Sequence, residues 1–311
     1  MRPGARRPGE EIMSIFPTKI LFATDGSEEA TLAARSAAAL ATRTGSELHV
    51  LTAGPEFPYY ELPEAPAAFE DIAKAQKRKA REVLDEQVAR IEESGAAVEE
   101  AHLRMGERPG RVIVDLAEEL GAGLVVVGSR GLGPLRRALM GSVSTSVVRH
   151  AHGPVLVVRE DGQGEASFPP GRILLALDGS EEAVAAARMA VELATSTGSE
   201  LHVIHVGEIA PVYHPERHGY VARYERLHEH ARQLLDEEVE KVKAAGGTVA
   251  GSHLAMGRPD EEIVVSAEGV GAGLIVVGSR GLGGIKRALM GSVSDSVVRH
   301  AHCPVLVVRG D

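Results

Sequence analysis

The stretch "KILFATDGSEEATLAARSAAALATRTGSELHV" (Lys19–Val50) contains the fold in one unit. "KILFA" is a short continuous apolar run, the pattern of a parallel strand buried on both faces. "TDGS" interrupts it with turn residues, and its Asp and Ser suit an Asx-type turn that caps a following helix. The alanine-rich Glu28–Arg43 that comes next is a strong helix former. "SELHVLTA" then reads as a second strand. Strands alternating with helices imply a parallel, doubly wound α/β sheet. The alternation continues with a long charged helix over about 69–94 and the strand "VEEAHLR". A helix opens near Pro109, a favoured first-turn residue, and ends before Gly121. The strand "LVVVG", a helix after Gly141 and the strand "PVLVVR" complete the unit.

The unit is written twice. "TKILFATDGSEEA" (Thr18–Ala30) returns as "GRILLALDGSEEA" (Gly171–Ala183), and "TGSELHV" occurs at 44–50 and 197–203. Gly121–Arg159 and Gly271–Arg309 differ at only 6 of 39 positions, with an offset of 150 residues. That period is too long for a solenoid and fits a duplicated domain. The expected organisation is an arm at 1–17, a first domain at 18–160, a linker at 161–170 and a second domain at 171–311. The linker region "EDGQGEASFPPG" (Glu160–Gly171) has the Gly/Pro/Ser content of a connector.

Composition narrows the function classes. Apolar residues at 44% and charged residues at 25% fit two globular cores. No run approaches the roughly 18 apolar residues of a membrane span. The basic opening "MRPGARRPGEE" lacks an apolar core behind it, so a disordered arm is expected there rather than a secretion signal. Cys303 is the single cysteine, which points to a reducing cytoplasm and a buried, inert thiol. A net charge of −10 with 3% aromatic residues argues against a nucleic-acid partner, which would call for a basic face and stacking rings.

The repeat includes a glycine-punctuated loop, "GSRGLGPLRRALMGS" (Gly128–Ser142) and "GSRGLGGIKRALMGS" (Gly278–Ser292). It follows an apolar strand and precedes a helix, where ligands bind in open α/β sheets. A helix start offers unpaired N–H groups and partial positive charge, a setting for phosphate. Glycines at 128, 131 and 141 would permit φ > 0 or a close backbone approach to an anion. Ser142 could cap the helix or donate to a phosphate oxygen, and Arg136 and Arg137 add positive charge. No Lys follows the glycine, so the loop is not a P-loop, and the third glycine of GxGxxG is missing. The pattern is G-x2-G-x9-G-S: Gly128, Gly131, Gly141 and Ser142, then Gly278, Gly281, Gly291 and Ser292.

That spacing resembles the ATP-binding class of the universal stress protein family, over 18–160 and 171–309. The resemblance implies two domains, each a five-stranded parallel sheet of order 3-2-1-4-5 with helices on both faces. It implies ATP with Mg²⁺ once per domain, the ion held through the phosphates near Asp25 and Asp178. Ala23 and Ala176 match adenine-side positions. Ser142, Val143 and Ser144, with Ser292, Val293 and Ser294, match phosphate contacts. Val206, in "ELHVIHVGE", matches a valine against adenine; the first half reads "ELHVLTAGP" and places Ala53 there, so the second site is expected to bind more tightly. Phe57 or Tyr59 could refill the gap. The family's antiparallel pairing of last strands implies that Val155–Val158 meets Val305–Val308, within one chain or across a homodimer.

The expected role is regulation or sensing in a stress response. A slow ATPase or phosphotransfer enzyme is the first rival, with Asp25 the only candidate acid the loop supplies. A nucleotide-independent interaction protein is the second. "HAHGP" and "HAHCP" (His150, His152, His300, His302) invite a metal reading, but an i, i+2 spacing at a helix end does not converge. Dipole-favoured histidines explain them. The histidines of "YHPERHGY" and "LHEHARQ" read as a solvated helix face.

Overall fold

A computed structural model describes residues 15–16, 18–55, 66–106, 108–131, 140–160, 168–207, 217–281 and 290–310. Most of the expected arm and linker lies outside these residues, as do Arg136, Arg137, Phe57 and Tyr59. The first half runs β1 (Lys19–Thr24), α1 (Glu28–Thr44), β2 (Glu47–Pro55), α2 (Pro66–Glu93), β3 (Glu100–Gly106), α3 (Pro109–Leu120), β4 (Leu124–Gly128), α4 (Ser142–His150) and β5 (Val155–Val158). The second half repeats the order: β6 (Arg172–Ala176), α5 (Glu181–Thr197), β7 (Glu200–Gly207), α6 (Arg217–Ala244), β8 (Val249–Met256), α7 (Pro259–Val270), β9 (Leu274–Gly278), α8 (Ser292–His300) and β10 (Val305–Val308).

All ten strands form one sheet, ordered β3-β2-β1-β4-β5-β10-β9-β6-β7-β8. Each half therefore has the order 3-2-1-4-5, parallel within itself. The halves join where β5 and β10 pair antiparallel, Val305 opposite Val157 and Val307 opposite Val155. The junction is made within one chain. It removes two apolar edges that would otherwise be open templates for pairing.

Local chemistry fixes the elements. Ser27 caps α1 by accepting from the Ala30 N–H, and Gly45 ends that helix in the left-handed region. Ser180 and Gly198 do the same for α5. Two apolar layers cover the sheet. One gathers α1, α5 and parts of α2 and α6 on Phe22, Val126, Leu175 and Val276. The other gathers α3, α4, α7 and α8 on Leu21, Val125, Leu174 and Ile275. Both layers draw on both halves, so the core is continuous across the junction.

Two arginines lock that junction reciprocally. Arg159, just beyond β5, is buried and donates to the carbonyls of Val298 and Ala301 at the end of α8. Arg309, just beyond β10, donates to Val148 O (2.8 Å) and Arg149 O (3.0 Å) at the end of α4. Each guanidinium thus satisfies last-turn carbonyls of the other half's helix, at the negative end of its dipole. Burial lowers the pKa of both from the ordinary arginine value.

Ahead of β1, Ile15 and Phe16 pack against the second half. Ile15 N–H donates to Glu192 Oε2 at 2.8 Å and Phe16 N–H at 3.2 Å, and the Phe16 ring is buried. One apolar residue and one carboxylate on α5 thus tie this segment to the opposite half.

Candidate nucleotide site

Both copies of the site are built at the carboxyl ends of the central strands. Asp25 follows β1, and its Oδ1 accepts from Ser27 N–H at 3.0 Å; Asp178 Oδ1 accepts from Ser180 N–H at 3.1 Å. These are the expected Asx turns. The other oxygen of each carboxylate faces the loop. A β-carbon on Gly131 would overlap Asp25 Oδ2, and one on Gly281 would overlap Asp178 Oδ2. The loop closes through Gly141 N–H on Ser129 O (2.8 Å) and Gly291 N–H on Ser279 O (2.7 Å).

The glycines serve close approach, and none of the six uses a positive φ. Gly128 makes room for a helix rather than for an anion: a β-carbon there would stand 3.0 Å from the Glu29 carbonyl carbon and 3.1 Å from Ala30 N. Gly278 meets Glu182 in the same way. Gly141 and Gly291 occupy the N-cap positions of α4 and α8 at φ −62° and −74°. Ser142 and Ser292 are therefore the first helical residues, not the caps as expected. Neither helix start carries a side-chain cap, which leaves N–H groups of the first turn for another acceptor.

Ser144 and Ser294 link helix to strand through their side chains. Their hydroxyls donate to Gly128 O and Gly278 O, both at 2.6 Å, so their protons tie helix to strand. Their backbone N–H groups still lie in the first turn. Val143 is exposed, whereas Val293 packs partly against the apolar layer. Ala23, Ala53, Ala176 and Val206 all border that same layer, on the α3/α4/α7/α8 face.

In the second half these residues enclose a cavity of about 590 Å³, within the range of small-ligand sites. Ala176, Val206 and Ile263 supply its apolar walls; Asp178, Gly281 and Ser292 stand at its polar end. Leu227 and His230 of α6 also line it. His230, read from sequence as part of a solvated face, is exposed and borders the cavity. Next to Val206, His205 is buried with Nδ1 3.0 Å from Leu177 O. Its counterpart Thr52 is buried with a hydroxyl that has no partner among the described residues.

Glu29 and Glu182 were not singled out from sequence, although "SEEA" occurs in both halves. Glu29 accepts from Arg130 N–H (2.6 Å), pairs with Arg130 Nε (2.9 Å) and accepts from the Ser129 hydroxyl. Glu182 pairs with Arg280 Nη2 at 2.7 Å. Each carboxylate pins the start of its glycine loop to the first turn of α1 or α5. The helix-end histidines go to separate partners: His150 Nδ1 to Ser146 O (2.8 Å), His152 Nδ1 to Glu118 (3.0 Å). Cys303 is buried.

Fold and loops together define a tandem, doubly wound α/β protein with a ligand-sized crevice at the strand ends. The universal stress protein family profile matches residues 17–159 and 170–309, and the chain belongs to that family as a tandem two-domain member. It is 35% identical over 209 residues to a universal stress protein of Mycolicibacterium smegmatis, covering 65% of this chain and 66% of that one. It is 33% identical over 188 residues to one of Mycobacterium tuberculosis, covering 60% of this chain and 58% of that protein. The matched stretches thus span less than two thirds of these relatives. A crystal structure of a universal stress protein from Archaeoglobus fulgidus superposes with a TM-score of 0.68 at 26% identity, covering 96% of this chain and 98% of that one. No helix among the described residues is long and apolar enough to cross a membrane.

Proposed function

We propose that this chain binds ATP, with Mg²⁺, once in each domain, and serves as a cytoplasmic regulator or sensor in a stress response. The observation that carries the reading is the 590 Å³ cavity of the second half. It joins an apolar slot to a helix start without a side-chain cap, with a carboxylate beside it. An adenine ring suits the slot between Ala176, Val206 and Ile263. Phosphates suit the first turn of α8, where N–H groups and the helix dipole favour negative charge. Asp178 would hold a ribose hydroxyl or the phosphate-bound Mg²⁺. Asp25, Ala23, Ala53 and the start of α4 take the same parts in the first half. Mg²⁺ supplies charge neutralisation between phosphate oxygens; the protein residues position and bind.

Denaturing the purified protein and identifying the released nucleotide tests the reading. ATP approaching two per chain supports binding in both domains. ADP in its place favours a slow hydrolase. A protein that carries no nucleotide and takes up none when ATP and Mg²⁺ are added is a nucleotide-independent interaction protein.

A further inference from the structure

Away from the glycine loops, near the amino ends of β2 and β3, two histidines and a glutamate converge. His49 lies directly opposite Glu100 in the parallel ladder, and His102 follows Glu100 by two residues, so all three share one face. His49 Nδ1 is 3.2 Å from His102 Nε2, which in turn is 3.8 Å from Glu100 Oε2. One ligand atom from each of the three lies within 4.8 Å of the others. We propose that His49, Glu100 and His102 form a binding site for a divalent transition-metal ion of the zinc type, separate from the nucleotide sites.

The donor set and its spacing support this. Two nitrogens 3.2 Å apart subtend about 103° at an ion about 2.05 Å from each, close to the tetrahedral angle of about 109° that zinc sites adopt. Two imidazoles and one carboxylate suit zinc, nickel or copper, whereas Mg²⁺ and Ca²⁺ prefer all-oxygen shells. Without an ion the pair leaves a defect: His49 is buried and its Nε2 has no hydrogen-bond partner among the described residues. With Nδ1 on a metal, Nε2 carries the proton, and the nearest carboxylate oxygen in an ion-pair contact with it, Glu47 Oε2, lies 3.8 Å away. Glu100 is 63% exposed, which gives the ion an entry path and a position for water.

The second half supplies an internal comparison. His202 Nδ1 and His253 Nε2 repeat the pair at 3.0 Å. The residue opposite His202 is Gly251, where the first half has Glu100. Glu200, the remaining acid, is held by Arg172 at 2.9 Å, and that hydrogen bond lowers its pKa. The second pair therefore lacks the third ligand.

The test titrates Zn²⁺ into metal-free full-length protein by calorimetry, with Co²⁺ absorption as the report of tetrahedral geometry. One tightly bound ion per chain is expected. Glu100→Gln, at an exposed position, weakens it by about tenfold or more, since even outer partners of metal ligands are worth about ten- to a hundredfold. His102→Asn removes it, and His253→Asn leaves it unchanged. Absence of tight binding overturns the site, and so does binding that survives Glu100→Gln and His102→Asn together. Equal loss on His253→Asn overturns the assignment to the first half.

Discussion

The carboxylate of Asp178 occupies the space where Gly281 would carry a side chain: a β-carbon there overlaps Oδ2. Asp25 and Gly131 repeat the relationship in the other half. The strand-end acid and the second loop glycine are thus one structural unit, although they lie about a hundred residues apart in the chain.

A coupled stability effect follows. Gly281→Ala forces Asp178 to turn away and strains its 3.1 Å bond to Ser180 N–H. Hydrogen bonds to charged groups are worth about 1.5–3 kcal/mol, which bounds the cost. In an Asp178→Ala background the same substitution costs much less, giving a coupling energy of about 0.5–3 kcal/mol in urea denaturation. Equal costs in both backgrounds would contradict the contact.

The domain junction yields a second expectation. Arg159→Ala leaves buried carbonyls at the end of α8 without donors and destabilises the chain by about 1.5–3 kcal/mol. Arg309→Ala costs less, because Arg309 is the more exposed of the two. Denaturant midpoints of the two variants decide it; a larger loss for Arg309 would run against the geometry.

Stability depends on pH through His102 and His253. Burial is the largest effect on each and lowers both pKa values from 6.5. Around His102, Glu100 and Glu119 oppose that shift while His49 and Arg104 add to it; beside His253, His202 adds to it. Below about pH 6.5 these two histidines bind more protons in the unfolded chain than in the native one, so their contribution to stability falls as pH falls through that window. In metal-free protein, replacing both residues by Asn flattens this slope in a series of melts between about pH 7 and 5. An unchanged slope would mean that other groups set it.

The two proposed nucleotide sites are expected to differ. Val206 borders the cavity of the second half, whereas Ala53 and Thr52, whose hydroxyl has no partner among the described residues, stand at the matching positions in the first half. Two missing methyl groups at about 0.8 kcal/mol each make up to roughly a tenfold difference in affinity. ATP titrations of proteins with one site blocked should find the second tighter, and Ala53→Val should narrow the gap. Equal affinities, or a tighter first site, would count against this.

Much of this was legible in the residues, for identifiable reasons. Apolar runs, alanine-rich helices and glycine stops act locally, so the strand and helix order and the duplication could be read directly. The strand order and the β5–β10 pairing came from family resemblance, and the sequence left open whether that pairing joined one chain or two. The purpose of individual glycines was not legible: Gly128 is required by the backbone of α1, a contact only the packed fold creates. The hydroxyl bond from Ser144 to Gly128 O is hidden for the same reason. The His49–His102 pair spans 53 residues and depends on strand register, which no local pattern reveals.

The central claim is that each glycine loop holds one ATP, and calorimetric titration with ATP and Mg²⁺ tests it most directly. The chain should take up two nucleotides, Gly131→Val or Gly281→Val one each, and the double variant none, with circular dichroism confirming a retained fold. A folded double variant that binds ATP as the parent protein does would contradict the account.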